Sequence, residues 1–132
     1  MASAQEFGCP TCLPPDAEAA YLNSRNLDQL AQLVDESHVM IAIRACSHCG
    51  QRFIRTFTET VDWADSEDPQ RHTLMPLTLA EADQLIAQGE TVSETSIESL
   101  RAGRPVLVMD FPKSGVKTFA YFPGAHLIGP HD

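Results

Sequence analysis

The chain's four cysteines fall as two Cys-x-x-Cys pairs, Cys9/Cys12 and Cys46/Cys49, with none left over. Two residues between cysteines let both sulfurs of a pair turn toward a common centre, and two pairs complete a tetrahedral set of metal ligands. A chain that closes such a site must bring its N-terminal arm against a segment more than thirty residues further on. The first residues, Met-Ala-Ser-Ala-Gln-Glu, lack the basic and apolar regions of a signal peptide, and there is no Asn-x-Ser/Thr sequon. The expected setting is therefore cytoplasmic and reducing, where thiols stay available for metal rather than pairing as disulfides.

The gap from Cys12 to Cys46 is 33 residues, against roughly 15–20 in compact zinc sites. Stretching a flexible loop that far adds only about 0.5 kcal/mol of closure entropy. A structural zinc contributes on the order of 10 kcal/mol, so the gap does not veto the site. Gly50 follows Cys49 and allows a tight backbone curl there; Leu13 holds the equivalent place after Cys12, which makes the first pair the less regular one. Arg44, Arg52 and Arg55 flank the second pair. They are read either as partners of a negative metal–thiolate cluster or as ordinary strand-edge cations.

These residues resemble the zinc-ribbon class, in which two Cys-x-x-Cys knuckles hold a zinc between loops. The resemblance covers Cys9, Cys12, Cys46, Cys49 and the hairpin around the second pair, and implies a structural Zn2+ on those four sulfurs. Iron in a rubredoxin-like four-thiolate site is the alternative metal, although Ser47 stands where rubredoxins resemble one another in carrying proline. A thioredoxin-type redox pair fits less well, since Pro14-Pro15 and a strand after Gly50 displace the helix such a pair precedes.

Hydrophobic residues make up 43% of the chain, enough for one domain spanning residues 1–132. Asp16 is placed to cap a helix carrying Glu18 in its first turn. Leu27, Leu30, Ala31 and Val34 form a helical stripe, which predicts a second helix from Leu27 to about Glu36. Val39–Ile43 reads as a buried strand, and at five residues is far too short to cross a bilayer. Phe53, Phe57, Val61 and Trp63 alternate with Thr56, Thr58 and Thr60, which predicts a strand with its aromatic face in the core. Asp65–Pro69 reads as a turn. Thr78/Glu81 and Thr95/Glu98 read as capping boxes, the first opening a helix that ends near Gly89, the second preceding a short helix stopped by Gly103 and Pro105. Val106–Phe111 and Val116–Phe122 form a second hairpin about a Lys113–Gly115 turn. The expected fold is α+β: an antiparallel sheet of about four strands, three or four helices and a two-knuckle metal site.

Net charge is −9, and the segment from Thr56 to Leu100 accounts for it with ten acids against Arg71 alone. Four thiolates around one divalent cation would carry two further negative charges. Such a surface repels a phosphate backbone, so nucleic acid is an unfavoured partner; a nucleic-acid-binding zinc ribbon would instead use a basic patch at Arg44, Arg52 and Arg55. The acidic 56–100 segment suits a solvated face or a dock for another, basic protein. His48, inside the second pair, is a substitute ligand in principle, but middle positions normally point away from the metal. His38, His72, His126 and His131 have no ligand spacing and read as surface or cap residues. The cluster Asp62, Asp65, Glu67, Asp68 lacks the glycine and terminal glutamate of an EF-hand, and Gly115-Val-Lys117-Thr118 lacks the spacing of a phosphate loop. With no catalytic motif and a closed four-sulfur site, the expectation is a non-enzymatic interaction or regulatory module, the alternatives being electron transfer or thiol redox chemistry.

Overall fold

The computed structural model describes residues 7–36, 39–59, 70–92, 94–101, 103–111, 117–124 and 127. Six strands form one antiparallel sheet in chain order: β1 (Asp28–Glu36), β2 (Val39–Ala45), β3 (Arg52–Glu59), β4 (Gln70–Leu77), β5 (Leu107–Phe111) and β6 (Thr118–Tyr121). Among the described residues the helices are short: α1 (Ala17–Ser24), α2 (Leu79–Gln88), α3 (Glu94–Glu98) and one 3-10 turn, Gly89–Thr91. The expected four-stranded sheet is thus corrected to six strands, for two separate reasons.

The first is β1, read from its stripe as a helix. Its nine residues oppose only seven of β2, because register shifts between Gln29 and Ala31 and between Gln32 and Val34 each leave one residue over. Two bulges three residues apart break the two-residue alternation of a strand and imitate helical spacing. The side chains sort accordingly: Leu33 is buried, whereas Leu30, a member of the helical stripe, is 45% exposed. Local helix propensity loses here to a partner in place, since β2 needs a ladder on each side. The bulges also twist the sheet's outer edge, as free edges commonly require.

The second is β4, whose Gln-Arg-His-Thr-Leu-Met-Pro-Leu sequence carries no clean alternation and contains Pro76. The β4–β5 ladder ends at Leu74 opposite Leu107, so Pro76 lies beyond it. Its carbonyl turns to the Arg104 guanidinium at 3.1 Å, and the missing N–H costs no ladder bond there.

Two cores sandwich the sheet. On one face Ile41, Ile43, Ile54, Met75 and Val108 pack under Ala82 and Leu85 of α2 and Ile97 of α3. On the other, Phe53, Leu74, Leu107 and Met109 pack under Ala20 of α1 and the N-terminal cysteine arm. Strand β3 alternates as expected but is buried on both faces: Ile54, Thr56 and Thr58 are buried toward α2, while on the aromatic side Phe53 is fully buried and Phe57 half-buried. Thr56 and Thr73 can be buried because their hydroxyls contact each other and lie 2.8 and 3.2 Å from the Leu127 carbonyl oxygen. Without such partners each hydroxyl would cost about 1–3 kcal/mol. Val61, Trp63 and the Asp65–Pro69 turn lie outside the described residues, as does the Lys113–Gly115 turn.

Asp16 caps α1 by accepting the Ala19 N–H, and the Thr78/Glu81 box opens α2 with both reciprocal bonds made. The other box is not one. Thr95 and Glu98 lie inside α3, and the Glu98 carboxylate instead accepts the Leu127 N–H at 2.7 Å. No helix among the described residues is long and apolar enough to cross a membrane.

Candidate metal centre

The second knuckle is the tip of the β2–β3 hairpin. Cys46 donates its N–H to the Gln51 carbonyl and accepts the Gly50 N–H, each at 2.9 Å, and Gly50 holds φ = 80° to complete the curl. A left-handed φ of that size strains any residue with a Cβ. The His48 N–H points at the Cys46 sulfur, 3.4 Å away, while the His48 side chain is exposed and not among the gathered ligands.

The first knuckle closes through the Leu13 N–H on the Cys9 carbonyl at 2.9 Å. Its glycine precedes the pair rather than following it. Gly8 has φ = 74°, and a Cβ there would meet the Cys12 sulfur at 2.9 Å and Leu13 at 2.7 Å. Three long-range bonds seat this arm. The Gly8 N–H donates to Gln51 Oε1, Asn23 on α1 donates to the Thr11 carbonyl, and the Tyr121 hydroxyl on β6 donates to the Pro14 carbonyl at 2.7 Å. Burial pushes the Tyr121 phenol up to about 12, so it stays a donor at any ordinary pH.

All four sulfurs come together within 4.8 Å of one another. Cys9 lies 3.7 Å from Cys12 and 3.8 Å from Cys46, and Cys12 lies 3.8 Å from Cys49. Four sulfurs set tetrahedrally at about 2.3 Å from one zinc ion are about 3.8 Å apart, so the donor set fits such an ion. A disulfide needs sulfurs about 2.05 Å apart, and all four cysteines are free. Cys12 and Cys46 are buried, Cys9 is half-buried and Cys49 is exposed. As bare thiols they cannot all ionise. Backbone N–H groups of Cys12 and Thr11 bring Cys9 down to about 6, whereas burial pushes Cys12 and Cys49 up. A divalent cation removes this conflict by favouring the thiolate at every position.

The three flanking arginines do not act together. Arg52 donates to the Gly50 carbonyl at 2.8 Å and so braces the second knuckle. Arg44 and Arg55 emerge on the opposite sheet face, where Arg44 reaches Gln29 Oε1 at 3.4 Å and Arg55 reaches His72 Nδ1 at 3.2 Å. His72, expected at the surface, is half-buried between Phe57 and Phe111, with ring centroids 4.9 and 5.1 Å away. His38, His126 and His131 lie outside the described residues, as do Asp62, Asp65, Glu67 and Asp68; so does Gly115, whereas Lys117 is exposed and Thr118 begins β6.

Sequence reasoning missed Gly8, Gln51 and His72. Gly8 had a readable signal, a glycine abutting a knuckle cysteine as Gly50 does. Gln51 had none, because its bond to Gly8 joins residues 43 positions apart. Comparison with protein families, with curated proteins and with solved structures finds no match for the chain. The cysteine geometry is consistent with a zinc-ribbon-like site, and no family follows from it.

Burial, reinforced by the Arg55 guanidinium, lowers His72 from 6.5 to about 4. In the unfolded chain the imidazole takes up its proton first as pH falls, so the stability from neutral His72 is complete above about 6.5 and is lost toward pH 4. Proton NMR titration of the ring resonances should give a His72 midpoint near 4; a midpoint at 6 or above would contradict this placement.

Proposed function

We propose that Cys9, Cys12, Cys46 and Cys49 hold one structural Zn2+ and that the protein is a non-enzymatic binding module whose work is done by its surface. The observation that carries this reading is the spacing of the sulfurs, which matches a tetrahedral four-sulfur shell. Four sulfur ligands leave no position for water or substrate, which argues against chemistry at the metal. The long-range bonds at Gly8, Asn23 and Tyr121 support a fastening role, since each ties the first knuckle's arm to a different part of the fold, while Arg52 braces the second knuckle locally.

For the partner, the charge imbalance favours another, basic protein over a nucleic acid. Within the acidic segment Glu81 is consumed by a two-pronged pair with Arg104 at 2.5 and 2.6 Å, and Glu98 by the Leu127 N–H. Asp83 and Glu90 are exposed on α2 and the 3-10 turn and are available to a partner. The split of Arg44 and Arg55 from Arg52, onto opposite sheet faces, argues against the continuous basic patch that nucleic acid would need.

Protein purified without added metal should be colourless and carry about one zinc per chain. The double variant Cys46→Ser/Cys49→Ser should lose both the zinc and cooperative unfolding, since the metal contributes on the order of 10 kcal/mol. A red, iron-bearing preparation would overturn the choice of metal, and a metal-free chain that unfolds as cooperatively as before would overturn the structural role. For the partner, neutralising Asp62, Asp65, Glu67 and Asp68 to their amides should weaken capture of basic proteins and flatten its salt dependence. Unchanged capture would clear that segment of the role.

A further inference from the structure

Helix α1 lies over β5 and β6, and the cysteine arm covers Phe53 on the same face; further along β2 and β3, Met40 is exposed and Phe57 only half-buried. There the sheet forms a cavity of about 260 Å³. Register places its residues together: Arg55 opposes Ala42, and Phe57 lies between Met40 and His72. Met40, Ala42 and Phe57 give it an apolar floor, and Arg44, Arg55 and His72 supply its polar side.

Acids outnumber bases two to one, eighteen to nine, yet neither Arg44 nor Arg55 meets a carboxylate among the described residues. Each has five N–H donors, and each makes a single side-chain hydrogen bond, to Gln29 and to His72. The Nε atoms of both are buried without a partner. Burial lowers the proton affinity of both, and the charge of Arg44 adds to the effect on Arg55. Guanidiniums stay charged nonetheless. Two like charges half-withdrawn from water with no counter-ion are a net cost to the fold. The cost is offset when an anion from outside takes up the free donors.

We propose that this cavity binds a small organic acid, its carboxylate on Arg44 and Arg55 and its apolar body on Met40, Ala42 and Phe57. The planar fork of arginine matches a carboxylate with two parallel bonds. The surroundings favour a carboxylate with an aromatic or branched body over bare phosphate. The backbone N–H groups that phosphate sites commonly use are engaged here in the β1–β2–β3–β4 ladders, and the floor is apolar. Neutral His72 adds no third positive charge; its Nδ1 accepts from Arg55 and holds that guanidinium in place. The site is independent of the metal centre and stands or falls separately from it.

The probe is 3-phenylpropionate, added to the full-length, metal-loaded chain, with 3-phenylpropanamide and inorganic phosphate as controls. Saturable binding is expected, with chemical-shift changes centred on the Met40 and Ala42 methyl groups. The amide and phosphate should each bind at least about tenfold more weakly. Arg55→Gln should lower the affinity about tenfold or more while metal content holds and the unfolding midpoint stays level or rises, because an unpaired charge has been removed. Arg44→Gln should act in the same direction. The proposal is overturned if the acid does not saturate by about 10 mM, or if the amide or phosphate binds equally well. It is overturned too if the shifts lie elsewhere, or if Arg55→Gln lowers the unfolding midpoint and leaves binding intact, as a purely structural arginine would.

Discussion

Convergence of four sulfurs from two distant turns is the constraint on which the rest of the molecule depends. The arm around Cys9 and Cys12 has no strand or long helix of its own, yet it forms one wall of the second core, with Cys12 and Cys46 buried beside Phe53, Leu74 and Leu107. Released from the β2–β3 tip, the arm would be held by a few side-chain-to-backbone hydrogen bonds, and α1 would lose the platform that presses Ala20 and Tyr21 onto β5 and β6. A metal tie of about 10 kcal/mol is comparable to the whole net stability of a domain this size. A tie on that scale would let a chain whose described helices are all short keep both faces of one sheet covered where it matters.

What was legible in the sequence was what local chemistry decides. The knuckles, the Asp16 cap, the Thr78/Glu81 box, the β2–β3 hairpin and the terminal hairpin each follow from a few neighbouring residues. Elsewhere, distant partners decide. Strand β1 carries residues with good helix propensity, and its bulges counterfeit helical spacing; only the presence of β2 makes it a strand. Strand β4 hides behind Pro76, which is tolerated because the β5 ladder stops short of it. Burial of the threonine face of β3 as well as its aromatic face was hidden because Thr56 needs Thr73 and the Leu127 carbonyl, both remote in sequence. The cysteine ligands were readable for the opposite reason: two-residue spacing is a local signature of a long-range contact.

The two faces of the sheet carry opposite electrostatic conditions. On the α2 side, charge is paired: Arg104 is clamped by Glu81, a residue that also caps the helix, so one carboxylate serves both purposes. On the other side Arg44 and Arg55 stand without an acid among the described residues. Neutral His72, set in the aromatic row from Phe57 to Phe111, separates that region from the α1 core. The fastening chemistry and the open, positively charged chemistry therefore occupy different parts of one sheet, and the molecule can alter its surface without loosening its clasp.

X-ray absorption at the zinc edge of protein purified without added metal tests the central claim most directly. Four sulfur neighbours at about 2.3 Å and no lighter atom in the first shell are the expected result. A shell containing nitrogen or oxygen, fewer than four sulfurs, or no zinc at all would contradict it.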